Sequence, residues 1–437
     1  MSIKMDIVGL LAQYEHGKFS NILLNDYFKE KETELPGLTR GEKSFITEVF
    51  YGVIRNVIFL DYEIDKRAKK MEKLWVRNLL RLSMYQIHFM NSDNAGVVYE
   101  GVEIAKVRGG TFIGGFINGV LRSFIDEKDD DIEKLLEEDR IDIVLSYPKW
   151  FVDEIKWEHK ENYVDILKSY KRIPNISVKI NKLNYNEEDF LALLDMKNIN
   201  ILKQVEDIYY LDSGIILDTH EFKRGQITVQ DGSSYLAAKY LDPKAGERVL
   251  DTCSAPGGKS MAMAEMMDNS GEIIALDIHE HKLKLIESRT KQMGIDIVYP
   301  ELLDARKVEK EFGENSFDKV LVDAPCSGFG VIRKKPEVLY TKKMKNVQEL
   351  AKLQLEILTA ASKVVKVGGF LVYSTCTILN KENIENVNRF LKDNSNFEVV
   401  EVEKPSGVNG SFDKIGGLNI FDEFLDGFYM VKMKKVK

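Results

Sequence analysis

The sequence is poor in the residues that build cross-links and metal sites. Its 437 residues include three cysteines, Cys253, Cys326 and Cys376, and six histidines. No two cysteines are close enough for a C-x-x-C pair, and so few do not make a disulfide scaffold; a reducing cytoplasm is expected. A structural zinc site wants four ligands at short spacing, and the histidines do not gather near the cysteines, so no metal is expected. No apolar run approaches the length of a transmembrane helix, and no membrane association is expected. The first twenty residues, MSIKMDIVGLLAQYEHGKFS, lack the basic region, apolar core and small-residue cleavage site of a signal peptide. There is no repeat at a solenoid period. Nor is there a surplus of positive charge: 62 Lys and Arg face 70 Asp and Glu, a formal net of −8. That excludes a uniformly basic nucleic-acid coat but not a local patch. What the chain does have is apolar residues, 44% of the total with 10% aromatic, enough to bury real cores. At roughly 100–200 residues per domain, several domains are expected.

Hydrophobic periodicity divides the chain. Residues 1–125 read as helix almost throughout. Thr39-Arg40-Gly41-Glu42 is a capping-box pattern, followed by Phe45, Val49, Phe50 and Val53 at helical spacing. Segment 72–90 repeats that spacing with Leu74, Leu79, Leu80, Leu82, Tyr85 and Ile87, and segments 96–107 and 112–124 follow. Pro36-Gly37 and Gly109-Gly110 punctuate loops, so a helical bundle is expected over 1–140. Residues 126–139 hold nine acids and two bases, the pattern of a solvated helix or a linker at a domain edge, and they alone account for most of the net charge. Residues 141–234 read as helices up to 172, then as a small α+β module. Its strands are at 176–180, 208–211 and 227–230, and its helix at 187–194. From 235 to 437 short apolar strands, 248–253, 272–277, 295–299, 317–324 and 369–376, alternate with helices, the signature of a buried parallel sheet. Segments 397–403 and 427–433 are placed to close it as an antiparallel pair.

The chemistry-bearing residues sit at the ends of those strands. The first runs into Asp251-Thr252-Cys253-Ser254-Ala255-Pro256-Gly257-Gly258-Lys259-Ser260 and then a helix. Small residues there let a ligand approach the backbone, although a plain strand-to-helix turn reads the same way. It is neither G-x-G-x-x-G nor a P-loop. Asp277 ends the second strand, where an acid takes the ribose hydroxyls of a nucleoside cofactor or simply caps a helix. Asp304 follows the third strand and Asp323 ends the fourth. Four acids at successive carboxyl ends line the crevice in which such sheets bind ligands. Cys326, in Asp323-Ala324-Pro325-Cys326-Ser327-Gly328, and Cys376, in Ser374-Thr375-Cys376-Thr377, follow two of these ends. Each is open to reading as an inert thiol, a redox partner or a nucleophile; two at equivalent ends, one beside an acid, favour the nucleophile.

These motifs carry a resemblance. VQDGSS, DTCSAPGGKS, ALDIHEHKL, DAPCSGFGVIRKKPE, GGFLVYSTCT and DGFYMV over residues 228–437 resemble the Sun/Fmu family of RNA cytosine carbon-5 methyltransferases. FYGVIRN, the Val97–Arg122 stretch with FINGVLR, and YPKWFVDEIKW resemble the NusB-like bundle that leads the ribosomal small-subunit methyltransferase B (RsmB) type. Ser254 and Ser260 stand where the family often has Ala and Thr, and Asn380-Lys381 where Pro-Glu is usual. The resemblance implies an all-α NusB-like bundle, a small RRM-like α+β module and a Rossmann-like class I methyltransferase domain.

It also implies the chemistry. Carbon 5 of cytosine is a poor nucleophile; a thiolate added at carbon 6 makes it enamine-like and able to take the methyl group of S-adenosylmethionine. By resemblance Cys376 is that thiolate, Cys326 assists release, and Asp323 supports the ring at nitrogen 3, which requires a proton on one partner. Cys253, Ser254, Ala255, Pro256, Gly257, Gly258 and Lys259 hold the cofactor's methionine end, Asp277 its ribose, Asp304 its adenine amino group, and Asp323 lies near the methyl. Lys259 supports the loop or a carboxylate, or is solvated. The expected partner is small-subunit ribosomal RNA, met by a monomer in the cytoplasm. The run 331–345, with six bases and one acid, offers Arg333, Lys334 and Lys335 to RNA; the run 65–81, with seven bases and two acids, is either a second RNA face or an ordinary charged surface. Transfer RNA as substrate, and a non-catalytic RNA-binding protein, stay open as alternatives.

Overall fold

The helical half folds as its periodicity dictates. The computed structural model describes residues 3–32, 37–68 and 73–437. Thr39 begins the helix Arg40–Arg55 with the expected capping box: its Oγ1 accepts the Glu42 N–H at 3.2 Å, and the Glu42 carboxylate accepts the Thr39 N–H at 2.7 Å. Phe50 from this helix, Leu79, Leu80 and Leu82 from Leu74–His88, and Phe124 from Thr111–Glu137 are fully buried in one core. Gly52 permits the close approach of two helices, since a Cβ there would fall 2.0 Å from the Tyr85 ring. Pro36 lies outside the described residues, as do Lys69, Lys70 and Glu72 of the basic run.

Of the two readings of residues 126–139, the solvated helix is the one observed: Thr111–Glu137 is one continuous helix and most of its last turns are exposed. Leu135 is buried in the core, and Asp131 is buried against Lys66 and Arg67, so the acid-rich stretch is held by packing and ion pairs. The compact unit also runs past 140 to Lys171, taking in Ile141–Val144, Lys149–His159 and Tyr163–Ser169. Ser146 Oγ accepts the Ile58 N–H at 2.9 Å, and Lys171 donates to the Arg55 carbonyl at 2.6 Å. Residues 335–341 belong to this unit as well. Tyr340 packs against its core and donates to the Ile54 carbonyl at 2.9 Å.

The second compact unit comprises 172–334 and 342–437. Its small module is a four-stranded antiparallel sheet in the order β2-β3-β1-β4, made of β1 (Ile176–Ile180), β2 (Ile201–Val205), β3 (Ile208–Leu211) and β4 (Ile227–Val229). The helix Glu187–Lys197 covers it with Phe190, Leu193 and Leu194. A buried Lys179–Glu265 ion pair and an Asn181 Nδ2 bond to the Met293 carbonyl at 2.9 Å fasten the module to the larger sheet's helices.

The larger sheet has nine strands: β5 (Arg248–Asp251), β6 (Glu272–Asp277), β7 (Val298–Leu302), β8 (Phe317–Asp323), β9 (Val365–Thr375), β10 (Phe397–Val399), β11 (Gly410–Phe412), β12 (Leu418–Ile420) and β13 (Phe428–Lys435). The order is β11-β12-β13-β9-β8-β5-β6-β7, with β10 on β13. Strands β5 to β9 are parallel, and β13 runs antiparallel to β9. The chain moves outward from β5 through β6 to β7, then returns to place β8 on the other side of β5. That reversal opens a crevice at the carboxyl ends of β5 and β8, where such sheets bind ligands. No helix of the described residues is long and apolar enough to cross a membrane.

Candidate active site

Parallel pairing builds the site. Asp323, the last residue of β8, stands opposite Ser374 of β9, and the chain beyond each strand turns into the crevice. Cys326 and Cys376 follow, and their sulfurs meet at 3.1 Å as free thiols. The Cys376 loop is gripped through its backbone: Gly330 donates to the Cys376 carbonyl at 3.0 Å, and Gly427 to the Gly330 carbonyl at 2.9 Å. A Cβ on Gly330 would lie 1.8 Å from the Gly427 oxygen, so no other residue fits.

The two thiols are not equivalent. The hydrogen bond from Cys326 draws the Cys376 thiol below the usual range, against burial and the Asp323 charge, and the Lys259 ammonium adds to the effect. The same bond, with burial, pushes Cys326 well above that range. Of the two, Cys376 is the one whose surroundings favour loss of the proton, and nucleophilic sulfur needs that loss.

Beside them, Lys259 Nζ donates to Asp323 Oδ2 at 2.7 Å, and Ser374 Oγ donates to Oδ1 at 2.8 Å. Burial opposes the lysine's charge, but Asp323 outweighs it and holds Lys259 above its ordinary value. Of the readings open for Lys259, the carboxylate partner is the one observed. Asp251 is buried deeper, accepts the Ser260 hydroxyl at 2.6 Å, and is pushed up to about 7 by burial.

The loop after β5 is shaped for a ligand at its backbone. Ser254 spends its N–H and its hydroxyl on the Leu276 carbonyl, at 2.8 and 2.9 Å. The Ala255–Pro256 bond is cis, and Gly257 is left-handed at φ 97°. Gly257 starts the helix Gly258–Met266 without a side-chain cap, leaving helix-start N–H groups without a side-chain acceptor. Burial drives the Cys253 thiol up to about 12, so it stays neutral. Asp277 uses Oδ1 on the His279 N–H at 2.9 Å, while Oδ2 has Lys282 at 3.6 Å, which leaves an acceptor for hydroxyl groups. Asp304 is more committed: both oxygens engage Arg306, at 2.7–3.2 Å, and these bonds hold it below the usual carboxylate range.

Comparison with known proteins agrees with this geometry. Residues 238–434 match the family described as 16S rRNA methyltransferase RsmB/F, residues 3–126 the NusB family, and residues 147–221 the RsmF/B-like ferredoxin-like domain. The "Probable ribosomal RNA small subunit methyltransferase B" of Bacillus subtilis (strain 168) is 37% identical over 446 residues, spanning 98% of this chain and 97% of its own. The chain belongs to the RsmB family of RNA methyltransferases. A second RsmB relative, ribosomal RNA small subunit methyltransferase B of Escherichia coli (strain IAI39), is 30% identical over 401 residues, 90% of this chain and 91% of its own. The crystal structure of PH0851 superimposes with a TM-score of 0.80 at 28% identity, covering 100% of this chain and 99% of that one.

Within this RsmB fold, the expected RNA cations separate. Arg333 is 1% exposed, and its guanidinium donates to the carbonyls of Glu423 and Leu425. It is a structural clamp and presents no charge to a phosphate. Lys334 is half-buried between Asp231 and Asp426, 2.8 Å from each. Its ammonium holds Asp231 down despite burial, while burial and the Asp231 charge push Asp426 up to about 6. Lys335 alone of the three is exposed. In the run 65–81, Lys66, Arg67, Arg77 and Arg81 pair with Asp131, Glu63, Asp61, Asp65 and Glu15. This is an ion network of the bundle itself.

Residue types alone did not single out Asp231, Asp426, Lys342 or Glu382. The two aspartates precede glycines in VQDGSS and DGFYMV, and Glu382 lies six residues after Cys376. Lys342 donates to the Ser327 carbonyl at 2.7 Å and the Cys326 carbonyl at 3.2 Å.

Proposed function

We propose that this methyltransferase moves the methyl group of S-adenosylmethionine to carbon 5 of a cytosine in small-subunit (16S) ribosomal RNA, through a Cys376 adduct at carbon 6. The observation that carries the reading is the paired Cys326 and Cys376 at 3.1 Å, one favoured as thiolate and one as thiol, beside the Lys259–Asp323 pair. S-adenosylmethionine supplies an electrophilic methyl group. The uncapped helix start after Gly257 and the backbone of 254–259 suit its methionine end, and Asp277 Oδ2 its ribose hydroxyls.

The residues act on the base. As the Cys376 sulfur bonds to carbon 6, electron density moves toward nitrogen 3, where a proton must arrive. Asp323 supports the ring at nitrogen 3, and Lys259, kept cationic beside it, is the source of the proton. Carbon 5 is then nucleophilic and bonds to the methyl group. Once Cys376 is a thioether, its charge and hydrogen bond no longer hold the proton on Cys326. Cys326 as thiolate takes the carbon-5 proton, and that C–H electron pair restores the 5,6 double bond. The carbon 6–sulfur bond breaks with Cys376 leaving as thiolate, and the nitrogen-3 proton returns to Lys259. The target base must leave its stack to reach this crevice. Among the expected cations, Lys335 is exposed, which suits contact with phosphate.

Transfer of tritiated methyl from S-adenosylmethionine to small-subunit ribosomal RNA, with bisulfite sequencing of the product, tests the reading. Label at one protected cytosine is expected. Label found only with transfer RNA would move the substrate assignment, and no label on any RNA would reject the enzyme assignment for this chain.

A further inference from the structure

The thiols of Cys326 and Cys376 have one described side-chain hydrogen bond between them, to each other, so their spacing is set by the two loops that carry them. Those loops are joined below the sulfurs by a carboxylate with no direct part in the chemistry. Glu382 is fully buried in the turn before the helix Ile384–Asp393. Its Oε1 accepts the Ser327 N–H at 2.8 Å and a Gln354 amide N–H at 2.8 Å; its Oε2 accepts the Ser327 hydroxyl. Ser327 Oγ also touches Thr377 Oγ1 at 2.8 Å. Ser327 directly follows Cys326, and Thr377 directly follows Cys376.

The surrounding bonds complete the clamp. Gln354 donates to the Pro325 carbonyl at 3.0 Å, on the other side of Cys326. Asn383, beside Glu382, accepts the Thr375 hydroxyl at 2.6 Å and donates to the Thr377 carbonyl at 3.0 Å, bracketing Cys376. Lys342 holds the Cys326 and Ser327 carbonyls from the opposite polarity. A buried carboxylate is expensive unless it is hydrogen-bonded, and this one is bonded to groups flanking the reactive pair.

We infer that Glu382 is a positioning residue that holds Cys326 against Cys376, and that it governs release of the product more than formation of the adduct. The inference rests on the covalent reading above. Cys376 directly follows the last residue of β9 and its carbonyl is held by Gly330, whereas Cys326 lies three residues beyond the end of β8 in a loop held by Glu382, Gln354 and Lys342. Without Glu382 the Cys326 side drifts and the nucleophile stays.

The test compares Glu382→Ala, Glu382→Gln, Ser327→Ala and Cys326→Ala in the full chain with small-subunit ribosomal RNA and S-adenosylmethionine. Cys326→Ala is expected to accumulate a protein–RNA adduct that survives denaturing gels. Glu382→Ala is expected to do the same, with kcat down about a hundredfold, the scale of a 1 Å misplacement, and KM for RNA little changed. Glu382→Gln keeps an acceptor for the Ser327 N–H, lets the hydroxyl reverse its bond, and should return turnover to within about tenfold of wild type. Adduct with Cys326→Ala but none with a folded Glu382→Ala would overturn the inference and leave the covalent reading intact. No adduct with Cys326→Ala would remove that reading and the inference with it. Should Glu382→Ala fail to fold, Ser327→Ala decides: partial adduct supports the positioning role, and a wild-type gel rejects it.

Discussion

A thiol attacks only as its anion, so the residue-scale question is which of two touching cysteines loses its proton. The contact with Cys326 favours Cys376, and Lys259 assists against burial, Asp323 and Asp426. Two outcomes follow. Cys376→Ala should abolish both methyl transfer and adduct, and transfer near the normal rate would displace it as nucleophile. Cys326→Ala removes the contact that lowers Cys376, so the acid limb of single-turnover adduct formation should move to higher pH; the thiolate then has to form against burial with only Lys259 in support. A pH–rate series on the trapped adduct reads this directly, and an unmoved limb would show that the thiol contact does not set the ionisation. Both cysteines were legible in the sequence from their places beside strand ends. The division between them came only with the family resemblance and not from the residues, because physically it depends on a 3.1 Å contact between residues fifty positions apart. Arg333 was misread for the same reason: a run of cations looks alike whether it faces solvent or, as here, two carbonyls.

At the scale of elements, legibility followed burial. Strands β1, β3 and β6 lie where their apolar runs placed them. β2 escaped notice because it is an edge strand, mostly exposed, with no alternation to read. β7 begins three residues later than its apolar run suggested and contains Pro300 and Glu301, which an edge position tolerates and a central one would not. The acid-rich stretch 126–139 is the solvated helix that its charge suggests, but its anchoring is not legible, because only the folded bundle brings Asp131 to Lys66 and Arg67. A contact between elements carries the next prediction. Lys179 of β1 and Glu265 of the helix Gly258–Met266 form a buried ion pair, and burial pushes the glutamate up. Removing one partner strands a charge, so Lys179→Met should cost about 3–5 kcal/mol, whereas the double change Lys179→Met with Glu265→Leu should recover most of it. Urea denaturation of the three proteins checks this; equal losses in single and double variants would mean that the pair contributes only packing.

The whole molecule divides its labour between two compact units, and the division has a thermal consequence. Every residue proposed to hold S-adenosylmethionine, from Cys253 through Lys259 to Asp277, Asp304 and Asp323, belongs to the unit made of 172–334 and 342–437. A ligand stabilises what it binds by mass action, about 2.7 kcal/mol at a hundred times its dissociation constant. For a unit of this size that is a rise of roughly 5–10 °C in its melting temperature. Differential scanning calorimetry should therefore resolve two transitions, of which S-adenosylmethionine raises one. The other unit includes the detached segment 335–341, whose Tyr340 packs on the bundle core and donates to the Ile54 carbonyl. Tyr340→Ala empties that place and should lower the cofactor-insensitive transition, by about 3 kcal/mol if the site does not collapse, while leaving the cofactor-induced rise of the other intact. A single transition that shifts as one with added cofactor would mean that the units melt together. A Tyr340 variant that weakens only the cofactor-responsive transition would mean that the segment stabilises the wrong unit for this account.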